Sequence, residues 1–202
     1  MFSFVHSNNS ECQSVNFYDL ILKKFGFSFG LRYLCTKIML LELLHVTIGQ
    51  QIRSLSMSVG EGQLVTITGS KGSGKSLLLR AILGLIPVDD GFISIDGELM
   101  TPQSGFYFRK QMAYVPQHLS FPKGYHGAGM ERWDDLTADE RYLLLLNKAI
   151  ATDKQMLIVD EPEDMLTTET QATVDQLLQE AAQRGKTVVA VNPRIQKNQV
   201  VL

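Results

Sequence analysis

The chain is poor in the features that mark several protein classes. Its 202 residues include only two cysteines, Cys12 and Cys35. They show no metal-ligand spacing and are too few for a disulfide framework, so reduced thiols are expected. The four histidines, His6, His45, His118 and His126, form no cluster along the sequence and read as structural. No apolar run reaches the roughly 18 residues that a membrane-spanning helix needs. Residues 16–41 come nearest, but Asp19, Lys23, Lys24, Arg32 and Lys37 interrupt them. A basic surplus is also missing. The net charge of −2 leaves no electrostatic footprint for nucleic acid, and no nucleic-acid partner is expected. Residues 1–15 are polar and lack a basic n-region, so they do not read as a secretory signal.

What remains is the composition of a soluble globular protein, 45% hydrophobic and 20% charged. Its length suits one domain with an appendage. Residues 1–38 are rich in Phe and poor in strand alternation. They read as an N-terminal extension of unknown role, or as an amphipathic surface helix around residues 17–25. Met39 opens a new pattern that continues to Leu202, and residues 39–202 are expected to form the main domain.

In that domain strand and helix signals alternate. "RSLSMSV" sets Arg53, Leu55, Met57 and Val59 against Ser54, Ser56 and Ser58. This period of two predicts a half-exposed, antiparallel strand. "GQLVTITG" predicts a buried strand, and "SLLLRAILGL" a helix ended by Pro87. "GFISIDG" and "QMAYVPQ" predict two short strands, the second stopped by Pro116. A helix follows from Thr137 to about Ala151, then the apolar strand "KQMLIVDEP". A further helix over 168–184 has Thr168 and Gln171 placed for a capping box and Gly185 as its stop. "KTVVAVNP" closes the series as a buried strand. Strands separated by helices predict an α/β fold: a mostly parallel sheet flanked by helices, with an antiparallel β edge.

Two segments carry chemistry. "GSKGSGKS" fits G-x-x-x-x-G-K-[ST] through Gly69, Gly74, Lys75 and Ser76, between a predicted strand and a predicted helix. The intervening Ser70, Lys71, Gly72 and Ser73, and Leu77 just after, complete the candidate binding segment. Glycines let the backbone curl and aim successive N–H groups at an anion. The helix start adds its positive end. Lys75 is placed to reach outer phosphates, and the Ser76 hydroxyl to ligate Mg2+. The second segment, "MLIVDEP", brings Asp160 to the C-terminal end of a strand, where α/β folds place ligands. Asp160 is then a candidate Mg2+ ligand. Glu161, one residue on, is a candidate to orient or deprotonate an attacking water.

Together these segments resemble the ATP-binding cassette (ABC) family, from about Met39 to Leu202. The likeness includes "DGFISIDG" after the first helix, "MAYVPQ" ending in the family's Q-loop, and "IVDEP" as its Walker B segment. The resemblance implies a P-loop NTPase-type fold that binds ATP with Mg2+. It implies Gln117 as a residue that senses the metal and the attacking water, and Glu161 as the catalytic glutamate. It also implies a membrane permease as partner, a second cassette (identical or different), and a place on the inner face of the cell membrane. In the family two cassettes sandwich two ATP molecules, each held by one subunit's phosphate loop and the other's LSGGQ helix start. An ATP-binding transporter subunit is therefore expected. The alternative is a nucleotide-binding regulatory module with little or no ATPase activity. A soluble repair or translation cassette would carry paired cassettes or long insertions, and a small-molecule kinase would not carry "YVPQ" and "IVDEP".

Departures from the pattern concern the half of the site that faces a partner. The LSGGQ slot falls on Leu136, Thr137, Ala138, Asp139 and Glu140, so both glycines are lost and the final Gln is Glu. The slot after "EP" reads Glu163, Asp164, Met165, Leu166, Thr167, with Thr in place of an acid. The switch histidine falls on or beside Pro193. Gln117 and Leu136 stand 19 positions apart (136 − 117), which implies a shortened helical subdomain. The base-stacking aromatic has no clear counterpart near Val46. Thr137 and Glu140 instead form T-x-x-E, a capping box. Acids at a helix start gain about 0.3–1 kcal/mol each. Against a γ-phosphate about 4 Å away they would lose about 4 kcal/mol at an effective dielectric near 20, nearly a thousandfold in affinity. Hydrolysis is therefore expected to be weak alone.

Overall fold

The computed structural model describes residues 40–118, 133–160, 166–192, 194–195 and 198–202. Two sheets organise them. The first is antiparallel, of order β2-β1-β4-β5, built from β1 (Leu41–Ile48), β2 (Ile52–Val59), β4 (Asp90–Ile95) and β5 (Glu98–Leu99). The second is parallel, of order β6-β7-β8-β3-β9. Its strands are β3 (Leu64–Thr68), β6 (Met112–Val115), β7 (Met156–Asp160), β8 (Thr187–Val191) and β9 (Gln199–Val201). The helices are α1 (Lys75–Ile82), α2 (Gly105–Arg109), α3 (Ala138–Ile150) and α4 (Thr168–Gln183). None of the described helices is long and apolar enough to cross a membrane.

The parallel strands are apolar on both faces because both faces are covered. Successive side chains point to opposite sides. Met156, Ile158, Val189 and Val191 join the core that holds Leu78, Leu79 and Ile82 of α1. Leu157, Val159, Val188 and Ala190 join the core that holds Tyr142 and Leu146 of α3 and Val174 and Leu178 of α4. The predicted α/β architecture is therefore present, with helices on both faces. In the antiparallel sheet β2 keeps its predicted alternation from Ser54 onward, whereas Arg53, expected beside Leu55, is exposed. Ser54, Ser56 and Ser58 are exposed, Leu55 and Met57 half-buried, and Val59 buried.

Several elements differ from expectation, and β1, β5 and α2 were not foreseen at all. α1 stops at Ile82, before Pro87, because Gly84 turns left-handed (φ 63°) and Arg109 Nη1 donates to the Leu83 carbonyl at 2.9 Å. α4 is capped by Thr167, not by a Thr168–Gln171 box. The Thr167 hydroxyl accepts from the Thr170 N–H at 3.3 Å, and the Gln171 amide donates back to the Leu166 carbonyl. Finally, β8 is not the last strand, since β9 adds a parallel edge beside β3.

Candidate functional site

The phosphate-loop segment connects β3 to α1, and space and backbone conformation both dictate its glycines. A Cβ on Gly69 would stand 2.5 Å from Ser73 Oγ and 2.7 Å from the Leu202 carbonyl. One on Gly74 would stand 3.0 Å from Gln51 Cβ and 3.2 Å from Ile52 Cγ1, at a φ of 102°. Gly72 has open space around it, so its requirement comes from φ 86° alone. Lys75 arches back over the loop, its ammonium donating to the carbonyls of Gly69 at 2.7 Å and Ser70 at 2.9 Å. Ser70 and Lys71 are exposed, whereas Leu77 turns inward against the core. Gly74 caps α1 without a side-chain bond, and no acid stands in the first turn. The start of α1 thus carries no side-chain cap, the arrangement that suits an anion at a helix start. Ser73 Oγ is buried and has no hydrogen-bond partner among the described residues, which marks an unmet polar group in the cradle.

Asp160 ends β7 and is 4% exposed. The loop and Asp160 belong to strands that are not neighbours, because β8 lies between β3 and β7. Even so, the Ser76 hydroxyl comes close enough to the Asp160 carboxylate to favour its ionised form. Burial pushes the Asp160 pKa above the usual carboxylate range. The nearby Ser76 hydroxyl and then the neighbouring Arg80, His118 and Lys75 act against that rise. A hydroxyl and a carboxylate in contact, with cations nearby, form a hard-oxygen donor pair of the kind that suits a small divalent ion. Gln117 lies two residues past Val115, which pairs with Val159, so it reaches the same C-terminal sheet edge as Asp160. It is half-buried.

Sequence reasoning passed over three neighbours of Asp160. Arg80 follows Ser76 by one helical turn, a spacing that would have placed both on one face. His118 had been read as structural, yet it sits close enough to lower the Asp160 pKa. Tyr114 is the exposed member of β6, its own pKa raised by burial first and by the Asp160 charge second. The region around Val46 offers no aromatic counterpart to a base-stacking side chain. Val46 and Ile48 are both core residues, at 0% and 5% exposure.

The start of α3 is built differently. The Thr137 hydroxyl accepts the Glu140 N–H at 3.3 Å, and the Glu140 carboxylate accepts the Thr137 N–H at 2.8 Å. The predicted capping box is present. Asp139 does more than neutralise its own helix. Its Oδ2 accepts from the hydroxyls of Thr167 at 2.5 Å and Thr170 at 2.7 Å, and from the Thr167 N–H at 3.2 Å. These bonds, led by Thr167, hold its pKa below the usual carboxylate value. Residues beyond β8 are likewise tied to α4. Asn192 Nδ2 donates to Asp175 at 2.6 Å, and Arg194 grips the same carboxylate at 2.8 and 3.2 Å. Glu161, the positions 163–165 and Pro193 lie outside the described residues, as do residues 1–38 and most of the stretch between Gln117 and Leu136.

Comparison with known proteins agrees with this arrangement. The family model described as "ABC transporter" matches residues 52–138. The chain is similar to the manganese transport system ATP-binding protein MntB of Bacillus subtilis, 27% identical over 198 residues and covering 77% of each chain. It is also similar to the cytochrome c biogenesis ATP-binding export protein CcmA of Nitrobacter winogradskyi, 29% identical over 58% of this chain and 72% of that protein. A solved structure described as an ATP binding subunit of an ABC transporter superposes with a TM-score of 0.65 at 19% identity, over 81% of this chain and 85% of that one. The chain is thus similar in sequence to ATP-binding proteins of ABC transporters and has the fold of that solved ATP binding subunit.

Proposed function

We propose that the chain binds ATP with Mg2+ through residues 69–77 and serves a membrane permease as its ATP-binding subunit. The observation that carries this reading is the Ser76–Asp160 contact beneath the glycine loop, with Lys75 arched above it. In this reading the N–H groups of 69–77 and the Lys75 ammonium bind the phosphates. Ser76 and Asp160, with Gln117 beside them, would hold Mg2+, which supplies charge neutralisation for the phosphates. Glu161 orients a water for attack, and Gln117 reports occupancy to a partner. ATP drives the union of two cassettes, and the pair sits on the inner face of the cell membrane through the permease. Residues 1–38 are read as an N-terminal extension of unknown role.

Because both acids of the α3 start are engaged within the chain, we place productive hydrolysis in a pair with a second cassette whose helix start has kept its glycines. Calorimetry with MgATP, alongside steady-state ATPase assays, tests this. Binding with slow turnover is expected. Brisk turnover by the pure chain, abolished by Glu161→Gln, would contradict it. One observation favours the alternative, a regulatory module that binds ATP without useful turnover: Asp175 fastens the residues after β8 to α4. Co-purification with a multi-span membrane protein separates the two readings, since only a transporter subunit requires that partner.

A further inference from the structure

The described residues just past β8 are held by both α4 and β3. Val191 ends β8 and pairs with Ile67 of the phosphate-loop strand on one side and with Asp160 on the other. The next residue, Asn192, is fully buried, and its N–H donates to the Ile67 carbonyl at 3.3 Å. It therefore stands between the two halves of the candidate site. Its Oδ1 accepts the N–H groups of Arg194 at 2.8 Å and Ile195 at 3.4 Å, and its Nδ2 donates to Asp175 Oδ1 at 2.6 Å. Arg194 forks onto the same carboxylate, Nη2 to Oδ1 at 2.8 Å and Nε to Oδ2 at 3.2 Å. From β3, the Thr66 hydroxyl donates to the Ile195 carbonyl at 2.8 Å. One carboxylate of α4 thus orients the Asn192 amide, and that amide holds the two N–H groups that follow.

We propose that Asp175 is a latch that keeps Asn192, Arg194 and Ile195 in one conformation whether or not the site is filled, so that occupancy is not passed on through this part of the chain. An exposed ion pair would be too weak for that, worth a factor of about five at most. Here Asp175 and Arg194 keep only 22% and 27% of their side chains exposed, and both carboxylate oxygens are used. Charge-assisted, forked hydrogen bonds are about twice as strong as neutral ones. Loss of the carboxylate would also take the Asp175 acceptor from the buried Asn192 Nδ2. The proposal rests on the nucleotide-binding reading only for what fills the site, since the latch belongs to the chain alone. On that reading Gln117, across Asp160 from β8, is left to report occupancy.

Residue-resolved amide hydrogen exchange of the full chain, with and without MgATP, tests this. Without nucleotide, Asp175→Ala should speed exchange at Arg194 and Ile195 by about tenfold or more, with Val188 and Val189 inside β8 changed by less than about threefold. Asp175→Asn, which keeps an acceptor and loses the charge, should speed it less. With MgATP, the wild-type amides of 69–77 should slow by about tenfold or more, while Arg194 and Ile195 stay within about threefold of their nucleotide-free rates. A rise of less than about threefold at Arg194 and Ile195 in Asp175→Ala, or an equal rise throughout β8, overturns the latch. So does a change beyond about threefold at these two wild-type amides when 69–77 become protected. If MgATP leaves 69–77 unprotected, the nucleotide-binding reading falls, and the nucleotide-free comparison still decides the latch.

Discussion

Two helices of this molecule begin in opposite ways. α1 starts at a left-handed glycine, with no side-chain cap and no acid in its first turn. α3 starts at Thr137 inside a complete capping box, with Asp139 and Glu140 in its first turn. Both begin with backbone N–H groups that have no partner within the helix ladder, and with the same positive dipole end. One leaves them for an external anion, while the other satisfies them from its own sequence. The contrast shows that an anion site at a helix start depends on withholding caps as much as on supplying donors. The α3 start goes further, since Asp139 also fastens the first turn of α4.

The largest effect that tests this contrast is on the α1 side. Lys75→Ala should weaken MgATP binding by about a hundredfold or more, because a charge-assisted contact to phosphate is lost, as read by titration calorimetry. Asp160→Asn should remove most of the Mg2+ dependence of binding, about tenfold or more. The same variant should leave the ligand-free fold as stable or more stable. Burial raises the Asp160 pKa in the fold, so the ionised form is disfavoured there. As pH rises above the ordinary carboxylate value through the raised folded one, wild type therefore loses stability that the variant keeps. Melting curves between acid and neutral pH, without nucleotide, read the difference.

Smaller effects belong to α3. Thr137→Ala should cost about 1 kcal/mol and lower the melting temperature by about 2–4 °C, with nucleotide affinity unchanged. Asp139→Asn should change stability least and in the opposite pH sense from Asp160→Asn. Thr167 and Thr170 depress the Asp139 pKa, so its contribution is full above the unfolded carboxylate value and disappears as pH falls through the lower folded one. The variant should therefore be weaker than wild type near neutrality and match it in strong acid. Equal melting of Asp139→Asn and wild type at neutral pH would remove the clasp from the account.

The two helix starts also differ in how far the sequence disclosed them. The glycine loop was legible because its requirement is local: left-handed backbone at Gly72 and Gly74, between a buried strand and an apolar helix. The α3 capping box was legible for the same reason, as a three-residue spacing. The clasp was not. Asp139 and Thr167 are distant in sequence, and only the packing of α3 beside α4 brings a carboxylate to the hydroxyl that caps α4 in place of the expected Thr168. The Ser76–Asp160 contact was foreseen as a shared role and not as geometry, since no pattern reveals that β8 separates β3 from β7. β9 escaped notice because three residues with exposed ends give too short a period to read. Tyr114 and His118 escaped because their significance comes from one carboxylate on the neighbouring strand.

The most direct test is a calorimetric titration of MgATP into the full chain, paired with Lys75→Ala. Saturable heat at one site per chain, lost in the variant, is the predicted result. An absence of heat in the natural sequence, or an unchanged isotherm in the variant, would contradict the assignment of the 69–76 loop as the ligand's seat.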